Sequence, residues 1–191
     1  MTSEDNIQEF IDSVAGLEGL SDDDLGELYN YLLDDSSIEQ KYVKEEEEEA
    51  EPEKKVDLRT EIGKMNLPKK LKVAMFGNAS CRAILINNGN RLVQVAVMKN
   101  PKVQDKEIAT FLKNPNISKA VLRLISGNRL WMKPYSNKIS IISNPKTPID
   151  IAIKWLRFVH KADLKKIARS KSIPGAVVTQ AKKKLEVMSG K

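Results

Sequence analysis

The stretch Ile139-Ser140-Ile141-Ile142-Ser143-Asn144-Pro145-Lys146-Thr147-Pro148, running on into Ile149-Asp150-Ile151-Ala152-Ile153-Lys154-Trp155-Leu156, decides the fold. A short apolar run stops at an Asn-Pro pair, and a second run starts after Thr147-Pro148. Proline has no N–H and its ring clashes with the preceding turn, so no regular helix passes through Pro145. Asn144 suits the cap or left-handed conformation that ends a helix, and Pro148 suits the first turn of the next.

The same grammar recurs at Asn100-Pro101-Lys102-Val103-Gln104 and at Asn114-Pro115-Asn116-Ile117-Ser118. Ser170-Lys171-Ser172-Ile173-Pro174 is a degenerate fourth copy. Between these joints lie apolar stripes at helical spacing. They comprise Ile108, Phe111 and Leu112; Val121, Leu122, Leu124 and Ile125; Ile149, Ile151, Ile153, Trp155 and Leu156; and Val177, Val178, Ala181 and Leu185. Gly77-Asn78, Gly89-Asn90 and Gly127-Asn128 add helix stops of the kind that place glycine just past the last turn. Arg91–Met98 is rich in β-branched residues and could pass for a strand, but its alanine and the turn signals around it favour a buried helix. Short helices joined by short turns in quasi-repeating text predict an irregular α-solenoid. The steps between the four joints are 14, 30 and 26 residues, so the array is uneven.

At residues 91–112 and 138–156 the text resembles the leucine-rich-repeat-variant and HEAT-like families of bacterial helical repeats, whose unit is an apolar, Ala-bearing helix, Asn-Pro-x-Thr-Pro, and a second apolar helix. Val95-Ala96-Val97-Met98-Lys99-Asn100-Pro101 and Ile139–Pro148 carry that pattern here. The block 67–185 is also similar to conserved deltaproteobacterial proteins of unassigned function, over about 60% of the chain. The resemblance implies a right-handed solenoid of helix pairs and no reaction. Some leucine-rich-repeat-variant proteins hold an iron–sulfur cluster on grouped cysteines; the one cysteine of this chain, Cys81, cannot form such a group.

The N-terminal third reads differently. Ser3-Glu4-Asp5 is a helix start, and Ile7, Phe10, Ile11, Val14 and Leu17 follow on one face until Gly16 and Gly19 end it. Ser21 caps a second helix opened by Asp22, Asp23 and Asp24, with Leu25, Leu28, Tyr29, Leu32 and Leu33 as its stripe. Two such helices alone make a thin core, so the segment either docks on something or is marginally stable. The run Glu45–Glu49, Glu51 and Glu53 repels itself and reads as a flexible linker, with Pro52 limiting any helix that continues into it. The expected organisation is an acidic helical segment at 1–42, a Glu-rich linker at 43–56 and a basic helical-repeat domain at 57–191.

Charge divides along the same line. Residues 1–53 hold 19 Asp/Glu and 2 Lys, a balance of −17, and residues 54–191 hold 30 Lys/Arg and 7 Asp/Glu, a balance of +23. Such asymmetry points to acidic or basic partners, or to contact between the two parts of the chain. The amphipathic face of residues 4–15 is a candidate partner-docking helix anchored by Ile7, Phe10, Ile11 and Val14. A second possibility is that the acidic arm folds over the basic domain as a mask. Arg157, Lys161, Lys165, Lys166, Arg169, Lys171, Lys182 and Lys183 cluster near the C-terminal end and are the candidate site for a polyanion or an acidic partner. Trp131 and Tyr135 lie among Arg129 and Lys133 and form a candidate aromatic turn, with Trp131 expected as a packing residue.

Catalysis lacks obvious materials. His160 is the single histidine and is expected at a helix C-terminus, where its charge suits the dipole. Cys81 is expected in or near the core. No phosphate-binding glycine pattern occurs, and no His/Cys cluster has metal-ligand spacing. No apolar run approaches a membrane span. Met1-Thr2-Ser3-Glu4-Asp5-Asn6 has neither the basic nor the apolar region of a secretion signal, so a cytoplasmic location is expected. The expected function is a non-catalytic helical-repeat adaptor or scaffold that binds a protein partner, without a cofactor, using the acidic arm for docking or autoinhibition. The alternative is a nucleic-acid-associated protein using the basic face.

Overall fold

A computed structural model of the chain describes residues 3–15, 21–34, 38–43 and 52–189. Among the described residues there are thirteen α-helices and no strand. They fall into two compact units, Met1–Val103 and Gln104–Lys191. The expected stops at Gly16 and Gly19 and the glutamates at 45–51 lie outside the described residues.

The first unit contains α1 (Ser3–Val14), α2 (Asp22–Leu33), α3 (Gln40–Val43), α4 (Pro52–Lys64), α5 (Leu67–Phe76), α6 (Ala79–Leu85) and α7 (Arg91–Met98). Ser21 caps α2 as its sequence predicts: its hydroxyl accepts from Asp24 N–H while the Asp24 carboxylate accepts from Ser21 N–H. Helix α4 starts at Pro52, whose missing N–H costs nothing in a first turn. Residues 52–56, assigned by composition to the linker, are therefore helical. Arg91–Met98 is a helix buried continuously from Val93 to Met98. Helix α5 packs on α2, α3, α6 and α7, and α1 packs on α2 and α7. Leu71, Val73, Ala74 and Met75 of α5 form the middle of this core.

The second unit contains α8 (Asp105–Lys113), α9 (Lys119–Gly127), α10 (Tyr135–Ser143), α11 (Ile149–Leu156), α12 (Lys161–Ile167) and α13 (Gly175–Met188). Helix α10 packs on α8 and α11, and α13 packs on α11 and α12. Ile108, Leu112, Val121, Leu122, Ile125, Ile141 and Ile142 fill the interior.

The Asn-Pro joints share one side-chain turn. A following proline pushes its neighbour to extended backbone, and Asn114 (φ −74°, ψ 119°) and Asn144 (φ −73°, ψ 124°) are extended C-caps. The side-chain oxygens of Asn100, Asn114 and Asn144 accept from the N–H two residues on, at 2.9–3.0 Å, which turns the chain around the proline. Asn100 and Asn144 are buried, and their Nδ2 groups reach back to an earlier helix end. Asn100 donates to Ala74 O and Gly77 O at the end of α5, at 3.1 and 3.0 Å. Asn144 donates to Leu112 O and Asn114 O at the end of α8, at 2.8 and 2.9 Å. The left-handed stops anticipated at glycine are not used. None of the described glycines has a left-handed φ, and Gly77 is extended (φ −69°). Gly77 is needed for a close approach instead, because a Cβ there would lie 2.3 Å from Val73 O.

Asn144→Ala removes the donors that cover two helix-end carbonyls as well as the turn. It is expected to lower stability by about 2–4 kcal/mol, against about 1 kcal/mol for Asn128→Ala, whose side-chain oxygen accepts only from Leu130 N–H and Trp131 N–H. Urea unfolding followed by Trp131 and Trp155 fluorescence, both in the second unit, measures the difference. Equal shifts in the two variants would contradict the assigned role of the buried carboxamide.

Candidate functional site

The basic candidates come together through α11, α12 and α13. Arg157 is the C-cap of α11, Lys161, Lys165 and Lys166 stand on α12, Arg169 and Lys171 follow in the next turn, and Lys182 and Lys183 stand on α13. Leu164 and Ile167 of α12 and Val177 and Ala181 of α13 point inward, which leaves all eight cations exposed.

These cations are not equivalent. Lys166 bonds the Asp163 carboxylate at 2.9 Å, and the Tyr135 hydroxyl donates to the same carboxylate at 2.8 Å. The Tyr135 oxygen also accepts from His160 N–H at 3.1 Å, and the two rings lie 4.5 Å apart. The Lys166 bond, then the Tyr135 bond, hold the Asp163 carboxyl below its usual range, while burial pushes the Tyr135 hydroxyl up. Lys161 Nζ lies 3.5 Å from Met188 O. Lys184, adjacent in sequence to the exposed pair, turns inward and donates to Leu156 O and Arg157 O at 3.0 and 2.6 Å; burial lowers its pKa. Among the described residues, Lys166 alone of the eight has a carboxylate partner, so Lys165, Arg169, Lys171, Lys182 and Lys183 keep their charge open to solvent.

His160 is the N-cap of α12, not at a helix C-terminus as expected: the chain breaks after α11 and His160 lies in extended backbone before the next helix. Trp131 is half-buried in the turn before α10, and its carbonyl accepts from Asn137 Nδ2 at 2.8 Å. Tyr135 belongs to the Asp163 network, so the aromatic turn ties α10 to α12. Sequence reading passed over a second aromatic cluster. Trp155 donates its indole N–H to Ser126 Oγ at 2.8 Å, Lys154 Nζ lies 5.4 Å from its ring centre, and Phe158, 56% exposed, leans on it at 5.6 Å. The alternation Lys154-Trp155-Leu156-Arg157-Phe158 is the signal that could have found it.

In the first unit, Ile7, Phe10, Ile11 and Val14 are all buried, in the helix that packs on α2 and α7. The chain itself covers the face that the sequence offered to a partner. Two helices make a thin core, and α5 and α7 complete it. Charges frame this packing. Glu9 meets Lys99 at 2.5 Å, Glu39 meets Lys69 at 3.1 Å, and Lys41 meets Glu61 at 2.9 Å. The Lys41 ammonium is stabilised chiefly by Glu61, which raises its pKa, and Glu39 and Glu61 are held low by their lysines. Lys72, 1% exposed, donates to Tyr31 O at 2.9 Å and to Asp34 O, and its Nζ lies 5.1 Å from the Tyr31 ring centre. Cys81 is a buried thiol beside Tyr42 O.

One groove of about 520 Å³ lies in the same unit. Its lining runs from Leu28 and Tyr31 on α2 across Leu67, Pro68 and Leu71 on α5 to Leu92 on α7, with Asp24, Glu27 and Asn66 also lining it.

Among the described residues no group of three or more His, Cys, Asp or Glu could hold a metal ion, and no helix is long and apolar enough to cross a membrane. No protein family, curated protein sequence or solved structure matches the chain.

Because its folded-state pKa is depressed, Asp163 contributes stability at pH values above the ordinary 3.8, and that contribution is lost as pH falls through the lower folded value. Tyr135→Phe removes one of the two bonds that stabilise the carboxylate. Carboxyl-carbon NMR titration is expected to show the Asp163 midpoint rising toward 3.8 in the variant; an unmoved midpoint would remove Tyr135 from the network.

Proposed function

We propose that the protein is a non-catalytic helical-repeat adaptor or scaffold, and that the exposed cations of α12 and α13 are its docking surface for an acidic partner protein. The observation that carries this is the partition of charge between the compact units. Residues 104–191 hold 19 Lys/Arg and 5 Asp/Glu, a balance of +14, whereas residues 1–103 hold 13 and 21, a balance of −8. A surface of one sign raises the local potential and steers an oppositely charged partner toward it.

An irregular right-handed solenoid of the HEAT-like and leucine-rich-repeat-variant kind is the architecture this reading supposes. It is supported by the repeated joint, in which a buried Asn hooks back to an earlier helix end once in each unit. The acidic N-terminal segment then serves as an intramolecular dock more than as an arm. Lys72, Lys69 and Lys99 hold its helix ends and carboxylates against the body of the first unit.

Phe158 favours a second function, association with single-stranded nucleic acid. Phe158 is exposed and leans on Trp155, which carries Lys154 on its ring; an exposed ring in such a cluster can stack on an unpaired base, which gives a preference for bases over other polyanions.

Binding of labelled polyglutamate and of a thymidine oligonucleotide of equal charge, titrated with salt, separates the two. The quadruple reversal K165E/R169E/K182E/K183E is expected to weaken polyglutamate binding about tenfold or more at 0.1 M salt and to flatten its salt dependence. Wild-type binding that survives the reversal unchanged would remove this surface from the function. Oligonucleotide binding that exceeds polyglutamate binding and falls with Phe158→Ala would shift the assignment to nucleic acid.

A further inference from the structure

The groove of the first unit has a different chemistry from the basic surface. Its floor is apolar: Leu71 is fully buried beneath it, and Leu28, Pro68 and Leu92 are half-buried along it. Leu67, 37% exposed, remains partly open to solvent. Asp24 and Glu27 also line it, on one face of α2 at the i and i+3 spacing of neighbours. The Asp24 carboxylate is engaged by Ser21 N–H and Oγ, which fixes it in place. Glu27 is exposed and, among the described residues, has no cation within ion-pair distance.

We infer that this groove binds an amphipathic helix of a partner protein, with apolar anchors at i, i+3 or i+4, and i+7, and with Lys or Arg beside them. Groove size, apolar lining and helix-flanked shape fit the helix-in-groove mode of recognition. The sign of the flanking charge follows from Glu27 and Asp24, the two charged residues that line the groove. A cation placed at Glu27 gains a partner without breaking an existing pair, whereas an acidic helix would bring like charge to the same edge. The chain then carries two docking surfaces of opposite sign, as a bridging scaffold requires. The inference rests on the groove alone and survives if the acidic partner of the basic surface is misassigned.

The test uses the full chain and a fluorescein-labelled synthetic helix with leucines at i, i+3, i+4 and i+7 and lysines on the flanks. Fluorescence anisotropy is expected to show binding that weakens about tenfold in Glu27→Lys and in Leu67→Ser. Glu4→Lys makes the same change of net charge on α1, away from the groove, and is expected to leave affinity within about twofold. The Glu27→Lys defect is expected to be relieved by a peptide whose flanking lysines are replaced by glutamate. Equal losses in Glu27→Lys and Glu4→Lys would reduce the effect to bulk charge and overturn the site. Concentration-dependent self-association of the chain alone, abolished by Glu27→Lys, would overturn the partner helix in favour of a second copy.

Discussion

Short helices leave their last carbonyls bare, and this chain is built from helices that are mostly ends. An α-helix cannot satisfy its final C=O groups internally, and most helices here are ten residues or shorter. The ends are closed by side-chain donors sent back from later positions. Lys72 closes α2, Lys102 reaches Val43 O at the end of α3, and Lys70 reaches Gly63 O near the end of α4. Arg82 and Asn100 meet on Gly77 O after α5, Asn144 closes α8, and Lys184 closes α11. Apart from those of Lys70 and Arg82, which reach back seven and five residues, these bonds also join segments distant in sequence, so there capping and tertiary packing are one interaction.

That constraint divides the cations by use. Lysines that cap helix ends or meet carboxylates hold the fold, and their charge is answered within the chain. Lys72 and Lys184 are the clearest cases, since their stems are packed and their ammonium groups rest on carbonyls. Lys165, Arg169, Lys182 and Lys183 do neither, which is why they are the strongest binding candidates. A surplus of basic residues is thus partly structural, and only the remainder is left open to solvent.

Much of the fold was legible in the sequence because its signals are local. Pro101, Pro115 and Pro145 stop any helix that would run through them, and Ser21 and Asp24 announce a capping box by spacing alone. What was not legible is long-range. Nothing near Lys72 in the sequence says that its ammonium lies under Tyr31, and nothing separates inward Lys184 from outward Lys182 and Lys183. The apolar face of α1 illustrates the limit best. An amphipathic helix announces that Ile7, Phe10, Ile11 and Val14 will be covered, and it does not announce by what; α2 and α7 pack against that helix. Likewise the groove exists only because α2, α5 and α7 converge, and no pattern within one of them implies it.

The division of cations into structural and open ones can be measured directly by brief acetylation of the folded, full-length chain, read lysine by lysine with mass spectrometry. Lys72, Lys99 and Lys184 are expected to react far more slowly than Lys165, Lys182 and Lys183, and to become equally reactive only on unfolding. If Lys72 and Lys184 are modified in the folded chain as fast as Lys182, the helix-end caps are not made and the account fails at its base.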